Sequence, residues 1–191
     1  MIYTDKSKFN LIGSDGIKYI RHPIGKRYSP LYLKMTVKHG GGNVKLWGCF
    51  STKGVGPLVE MVGNMKGQTY KDILQDHLLP YARRNFGRGW ILLNDNDPKH
   101  QSDIVKTFLQ AKRVTRLPWP AQSPDINPIE NLWEELGRAC SAIKCKNRPE
   151  KMNLLKKKWA EIPQSRIDAL IDSMPHRIEA VIKARGFPTK Y

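Results

Sequence analysis

Trp90-Ile91-Leu92-Leu93-Asn94-Asp95 is the stretch on which the fold turns. Four apolar residues in a row show no polar alternation and are too few for a helix. They read as a strand buried on both faces, the centre of a sheet with cover on two sides. The run ends in Asn94 and Asp95, and ligands of open α/β sheets bind beyond the carboxyl ends of strands. Asp95 therefore stands where chemistry can be done. The local alternative is a turn role, because Asn94-Asp95-Asn96-Asp97-Pro98 also suits an Asx turn.

Upstream, residues 1–12 alternate, with Tyr3, Asp5, Phe9 and Leu11 on one face and Thr4, Lys6, Lys8 and Asn10 on the other, which predicts a strand. Residues 17–20 form a plausible second strand and residues 43–51 a third, in an antiparallel meander. Residues 68–86 carry a helical stripe (Tyr70, Ile73, Leu74, Leu78, Tyr81) with Pro80 as a kink. Downstream come a short helix over 102–111 and a short strand over 114–117. A further helix begins near Pro128, with the stripe Ile129, Leu132, Trp133, Leu136, Cys140 and Ile143. Two last helices are predicted over 149–162 and 164–185. Strands first, then strands alternating with helices, predict an α/β fold: a mixed sheet with helices on both faces, in one domain spanning 1–191.

The chain has 191 residues and 33 Lys+Arg against 17 Asp+Glu, a formal charge of +16. With 40% hydrophobic residues it can build a core, so the charge belongs to the surface of a folded body and attracts a polyanion, nucleic acid first. No apolar run approaches the roughly 18 residues of a membrane span. Residues 1–9 (MIYTDKSKF) carry no apolar h-region, so secretion is not expected. Cys49, Cys140 and Cys145 lack a C-x-x-C pair, which fits a reducing compartment better than disulfides or zinc. The charge is uneven: residues 16–59 contain no acid and eight bases, among them Lys18, Arg21, Lys26, Arg27, Lys34 and Lys38. A second basic block covers 144–158.

Three carboxylates sit in unusual places. Asp5 is on the strand face expected to be buried, where an unpaired carboxylate needs a cation, a donor or a metal. Asp95 ends the apolar strand. Glu130 opens the helix after Asn127-Pro128, where it could serve a capping box with Asn127 as N-cap, or face a cleft beside the sheet. Convergent carboxylates in a basic protein suit hard divalent cations, and two such ions could drive phosphodiester chemistry. His100 could carry a proton or touch a phosphate. Phosphate-binding Gly-rich loops, H-E-x-x-H and G-x-S-x-G are all absent from the sequence.

The segments DKSKFNLIGSDG, VKHGGGNVKLWGCFSTKGVGPL, NDNDPKH, WPAQSPDINPIENLWEEL and SMPHRIEAVIKARG resemble the catalytic domain of Tc/mariner-type DNA transposases, in the Tc-like branch. The resemblance implies an RNase H-like fold of about five strands. It also implies an Asp-Asp-Glu triad at Asp5, Asp95 and Glu130 binding two Mg²⁺ or Mn²⁺ ions for DNA cleavage and strand transfer. The 34 residues between Asp95 and Glu130 match the branch's spacing. Double-stranded DNA is the implied partner, with the basic stretch around 23–42 as a loop gripping DNA or a partner subunit and Lys99 and His100 as further DNA contacts. A second copy or another transposase subunit is a further partner, and the nucleus the expected place. Two departures stand out. Lys6 replaces the family's usual Glu after the first aspartate, and the N-terminal helix-turn-helix modules that read transposon ends are expected to be missing. The alternative is a degenerate transposon remnant that binds DNA or a partner subunit without catalysis. An RNA-directed nuclease on the same fold is a third reading.

Overall fold

The computed structural model describes residues 1–11, 42–120, 123–185, 187 and 189. Five strands, β1 (Ile2–Asn10), β2 (Asn43–Ser51), β3 (Gly54–Met61), β4 (Ile91–Leu93) and β5 (Thr115–Arg116), form one mixed sheet in the order β3-β2-β1-β4-β5. β1 pairs antiparallel with β2 along its whole length and parallel with β4, while β5 pairs parallel with β4. The centre of the sheet is thus β1, not the apolar β4. β4 is buried because helices cover it on both faces, while only the two-residue β5 lies outside it. β3 was not expected: Gly54, Gly56 and Pro57 mask its pattern, and a proline is tolerated there because β3 is an edge strand. The expected strand over 17–20 and most of the acid-free basic stretch lie outside the described residues.

The helices are α1 (Gly67–Ile73), α2 (Leu79–Phe86), α3 (Asp103–Ala111), α4 (Ile129–Ser141), α5 (Arg148–Ala160), α6 (Gln164–Asp172) and α7 (Met174–Ala184). A π-helical turn, Leu74–Leu78, joins α1 to α2 immediately before Pro80. A proline inside a helix supplies no N–H and crowds the preceding turn, and the wider π turn absorbs both defects without ending the helix. The expected last helix is two: it breaks at Ser173, with Pro175 in the first turn of α7.

Two cores sandwich the sheet. On one face Tyr3, Phe9, Val44, Leu46 and Phe50 pack against Leu132, Trp133 and Leu136 of α4 and Leu155 and Trp159 of α5. On the other, Ile2, Trp47, Cys49 and Leu92 pack against Tyr70, Leu74, Leu78 and Phe108 of the α1–α3 layer. Alternation in β1 splits its residues between these cores, so Asp5 faces α4 and Lys6 faces the opposite layer. Among the described residues no helix is long and apolar enough to cross a membrane.

Candidate active site

Asp5 lies in the middle of the central strand and is only 5% exposed. Its carboxylate accepts a hydrogen bond from Trp133 Nε1 of α4 at 3.1 Å and shares another with the Glu130 carboxyl, one turn earlier on the same helix. Trp133 can reach it because the residue opposite Asp5 on β2 is Gly48. A Cβ at Gly48 would stand 2.6 Å from the edge of the indole. The indole is held from behind by stacking on Trp159, ring centroids 5.0 Å apart.

Glu130 is free for this contact because the expected capping box does not form. Pro128 occupies the N-cap position with no side-chain cap, and Asn127 Oδ1 is buried without a partner. Only the Asn127 carbonyl meets the Glu130 N–H, at 3.2 Å.

Asp95 follows β4 and is half-buried. Its Oδ1 accepts the Asp97 N–H at 3.2 Å, so the Asx turn is real, and the same oxygen is engaged by Nδ1 of His100. His100 is 1% exposed and stacks on Tyr70, centroids 4.0 Å apart. The expectation that His100 contacts DNA is therefore corrected: its ring is sealed inside and aims at Asp95. Lys99 is half exposed, with Nζ 3.8 Å from Asp97 Oδ2, and stays available to solvent. Lys18, Arg21, Lys26, Arg27, Lys34 and Lys38 lie outside the described residues.

The electrostatics follow from burial and proximity. Burial first, and then the Glu130 charge, push the Asp5 carboxyl up to about 8. Burial also raises Glu130, with the Asp95 charge adding to it and the hydrogen bond to Asp5 opposing. Burial works to raise Asp95 too, but the His100 hydrogen bond and nearby positive charge outweigh it and leave the carboxyl below its usual range. Lys6, in sequence beside a carboxylate of the cluster, is on the other face and bonds Asp97 Oδ2 at 2.5 Å.

Among the described residues no three His, Cys, Asp or Glu side chains stand in closed metal-ligand geometry. Asp5 and Glu130 are held together by a shared proton, and Asp95 is turned towards His100. The donor chemistry nevertheless fits a hard cation: three carboxylates within electrostatic reach, one of them buried without a cation bonded to it. A divalent ion would replace the shared proton as the charge that keeps Asp5 and Glu130 together.

Sequence reasoning placed Trp133 in an apolar stripe and gave Gly48 no role. The signal for both was only in pairing: the register that sets Gly48 against Asp5, and the helix that lays Trp133 across that gap.

The family model of the DDE superfamily endonucleases matches residues 1–150. Over 190 residues the chain is 50% identical to the transposable element Tcb1 transposase of Caenorhabditis briggsae and 50% identical to the Tc1 transposase of Caenorhabditis elegans; in each case all of this chain and 70% of the relative are covered. The Tc3 transposase of Caenorhabditis elegans is 31% identical, over 58% of its length. Among solved structures, a Mos1 transposase paired-end complex superposes with a TM-score of 0.83 at 19% identity, covering 99% of this chain and 56% of that one. The catalytic domain of Mos1 mariner transposase gives 0.76 at 17% identity, with 99% and 83% covered. The chain thus spans 70% of the Tcb1 and Tc1 transposases, 58% of Tc3 and little more than half of the Mos1 chain. With the RNase H-like sheet shared with Mos1 and half of all residues shared with the Tcb1 and Tc1 transposases, the chain belongs to the DDE superfamily of endonucleases, in its Tc-like transposase branch.

Proposed function

We propose that this chain is the catalytic domain of a DNA transposase that cleaves and transfers strands of double-stranded DNA, with Asp5, Asp95 and Glu130 as its metal-binding triad. The single observation that carries the proposal is the cluster itself. Three carboxylates from the central strand, the end of β4 and the start of α4 come within electrostatic reach of one another, and the chain around them carries a net +16. Two Mg²⁺ or Mn²⁺ ions held there would supply Lewis-acid charge stabilisation at the phosphodiester. The Mos1 catalytic domain has been solved with Mn and with Mg, and Mos1 has been captured with a transposon end, which supports both the metal and the DNA.

The chain's own residues have separate tasks. Trp133 fixes the orientation of Asp5, and His100 that of Asp95. Lys6 neutralises Asp97 and holds the loop that carries Asp95. Lys99, exposed beside the site, meets backbone phosphate, as do the basic residues of the 16–59 stretch. The place of action is the nucleus, where such DNA resides, and a second copy or another transposase subunit completes the assembly. The chain works as one domain, and its own contacts to DNA run through the phosphate backbone with strong salt dependence.

The test is nicking of duplex DNA in Mg²⁺ or Mn²⁺. Asp95→Asn or Glu130→Gln should each lower the rate by at least about 10³-fold while leaving the fold intact. Nicking that continues unchanged in both variants would overturn the assignment.

A further inference from the structure

The end of the sheet away from the carboxylates holds a cavity of about 600 Å³ whose charged lining groups, among the described residues, are all cations. Arg83 comes from the last turn of α2, Arg88 from the loop before β4, and Lys112 and Arg113 from the turn between α3 and β5. All four are exposed, and among the described residues none makes an ion pair. Trp90 and Val114 line the same cavity.

The bland explanation is that cations favour helix C-termini, and α2 and α3 both end here. It accounts for Arg83 and Lys112. Arg88 and Arg113 lie beyond the helices, on backbone bent through the left-handed region at Gly87 (φ 66°), Gly89 (φ 81°) and Arg113 (φ 53°). The turn at Arg113 is pinned by hydrogen bonds from Arg113 N to Gln110 O and from Val114 N to Leu109 O, each 2.9 Å. Each helix end contributes a partial charge of about −0.5, so four full positive charges leave the cavity at about +3. Some cations elsewhere are paired, Arg148 with Glu60, Arg166 with Glu135 and Lys158 with Glu161. These four instead surround one hollow that has no acid among its described lining residues.

We propose that this cavity is a second anchoring site for the phosphate backbone of duplex DNA. Guanidinium forks bind phosphate oxygens bidentately, and three of the four cations are arginines. From Trp90 to Asp95 the chain advances at about 3.3 Å per residue, which puts about 16 Å between cavity and carboxylates. One phosphate cannot touch both, so the cavity acts on DNA retention and not on bond cleavage. The inference rests on the DNA-cleaving reading and extends it to a surface remote from the triad.

The test measures binding of a duplex of about 30 base pairs, roughly three helical turns, by anisotropy over a salt series without divalent metal. A variant carrying Arg83→Gln, Arg88→Gln and Lys112→Gln is compared with one carrying Lys156→Gln, Lys157→Gln and Lys183→Gln, which removes the same charge elsewhere. All six positions are exposed, and thermal melting checks that both variants fold. The cavity variant should bind at least about tenfold more weakly, and its slope of log affinity on log salt should shrink by about two to three; the matched variant should lose less than one. Equal losses in both variants would mean a diffuse positive field and overturn the site, as would no loss in either. Displacement of the duplex by millimolar inorganic phosphate at matched ionic strength would assign the pocket to small anions and overturn the backbone reading. Failure of the unaltered chain to bind any duplex would overturn the DNA reading itself, and this inference with it.

Discussion

Asp5 concentrates the chemistry of this site because it is buried before any metal is considered. Its folded-state carboxyl, at about 8, lies above the ordinary 3.8. The protonated form is therefore the one the fold favours, and that contribution is complete below about pH 4 and lost as pH rises through about 8. A divalent ion must displace this proton. Calorimetric Mn²⁺ titration near pH 7 should release about one proton per site, seen as a heat that varies with buffer ionisation enthalpy. A buffer-independent heat would contradict it. Trp133→Phe keeps a ring against Trp159 but removes the donor to Asp5, and should weaken Mn²⁺ binding about 10- to 100-fold with little change in secondary structure. Gly48→Ala drives a methyl group into the same indole and should destabilise the protein by about 1–3 kcal/mol in urea unfolding. Asp5 was legible in the sequence because strand alternation put a carboxylate on a buried face. Trp133 and Gly48 were not, because an indole donor and a missing Cβ leave no periodic trace.

At the level of elements, the loop between β4 and α3 does most of the positioning. Asp97 Oδ1 accepts the Lys99 N–H at 2.8 Å, the Asp97 carbonyl accepts the His100 N–H at 2.8 Å, and Lys6 of β1 closes the loop onto the central strand. Lys6 follows the first carboxylate in sequence, but alternation sends it to the other face, where its charge favours the ionised form of Asp95. Lys6 and Asp97 are each 18% exposed, and the pair holds the Asp97 carboxyl at about 2 although burial alone would raise it. A double-mutant cycle with Lys6→Met and Asp97→Asn should give a coupling of about 1 kcal/mol in urea unfolding, the upper end for partly exposed pairs. Element types were readable wherever the period was clean, as in β1, β2 and α4. They fail where glycine and proline interrupt it: the pattern of β3 is masked, and the expected single helix over 164–185 is two, broken at Ser173 before Pro175, whereas the helix around Pro80 does run on through its π turn. Proline signals a disturbance but does not say whether the chain kinks, widens into a π turn or starts again.

Over the whole molecule, one sheet separates two cores that share no side chain. Leu132 and Leu74 are both fully buried, on opposite faces. Leu132→Ala and Leu74→Ala should each destabilise by about 2–5 kcal/mol, and their effects should add within about 0.5 kcal/mol. A larger departure would mean that the sheet transmits strain between its faces. The sequence by itself determined the α/β class, the basic surface and the three carboxylates, since alternation, charge count and the motifs around Asp95 and Glu130 are written along the chain. It misjudged which strand is central, because an apolar run reports burial on two faces and not position in a sheet. Only the tertiary structure decided that Glu130 bonds Asp5 and not its own helix end, that His100 is a buried partner of Asp95, and that four cations meet around a cavity at the far end of the sheet. Each depends on distances between residues far apart in the chain, and those are set by strand register and helix packing, which local sequence does not encode.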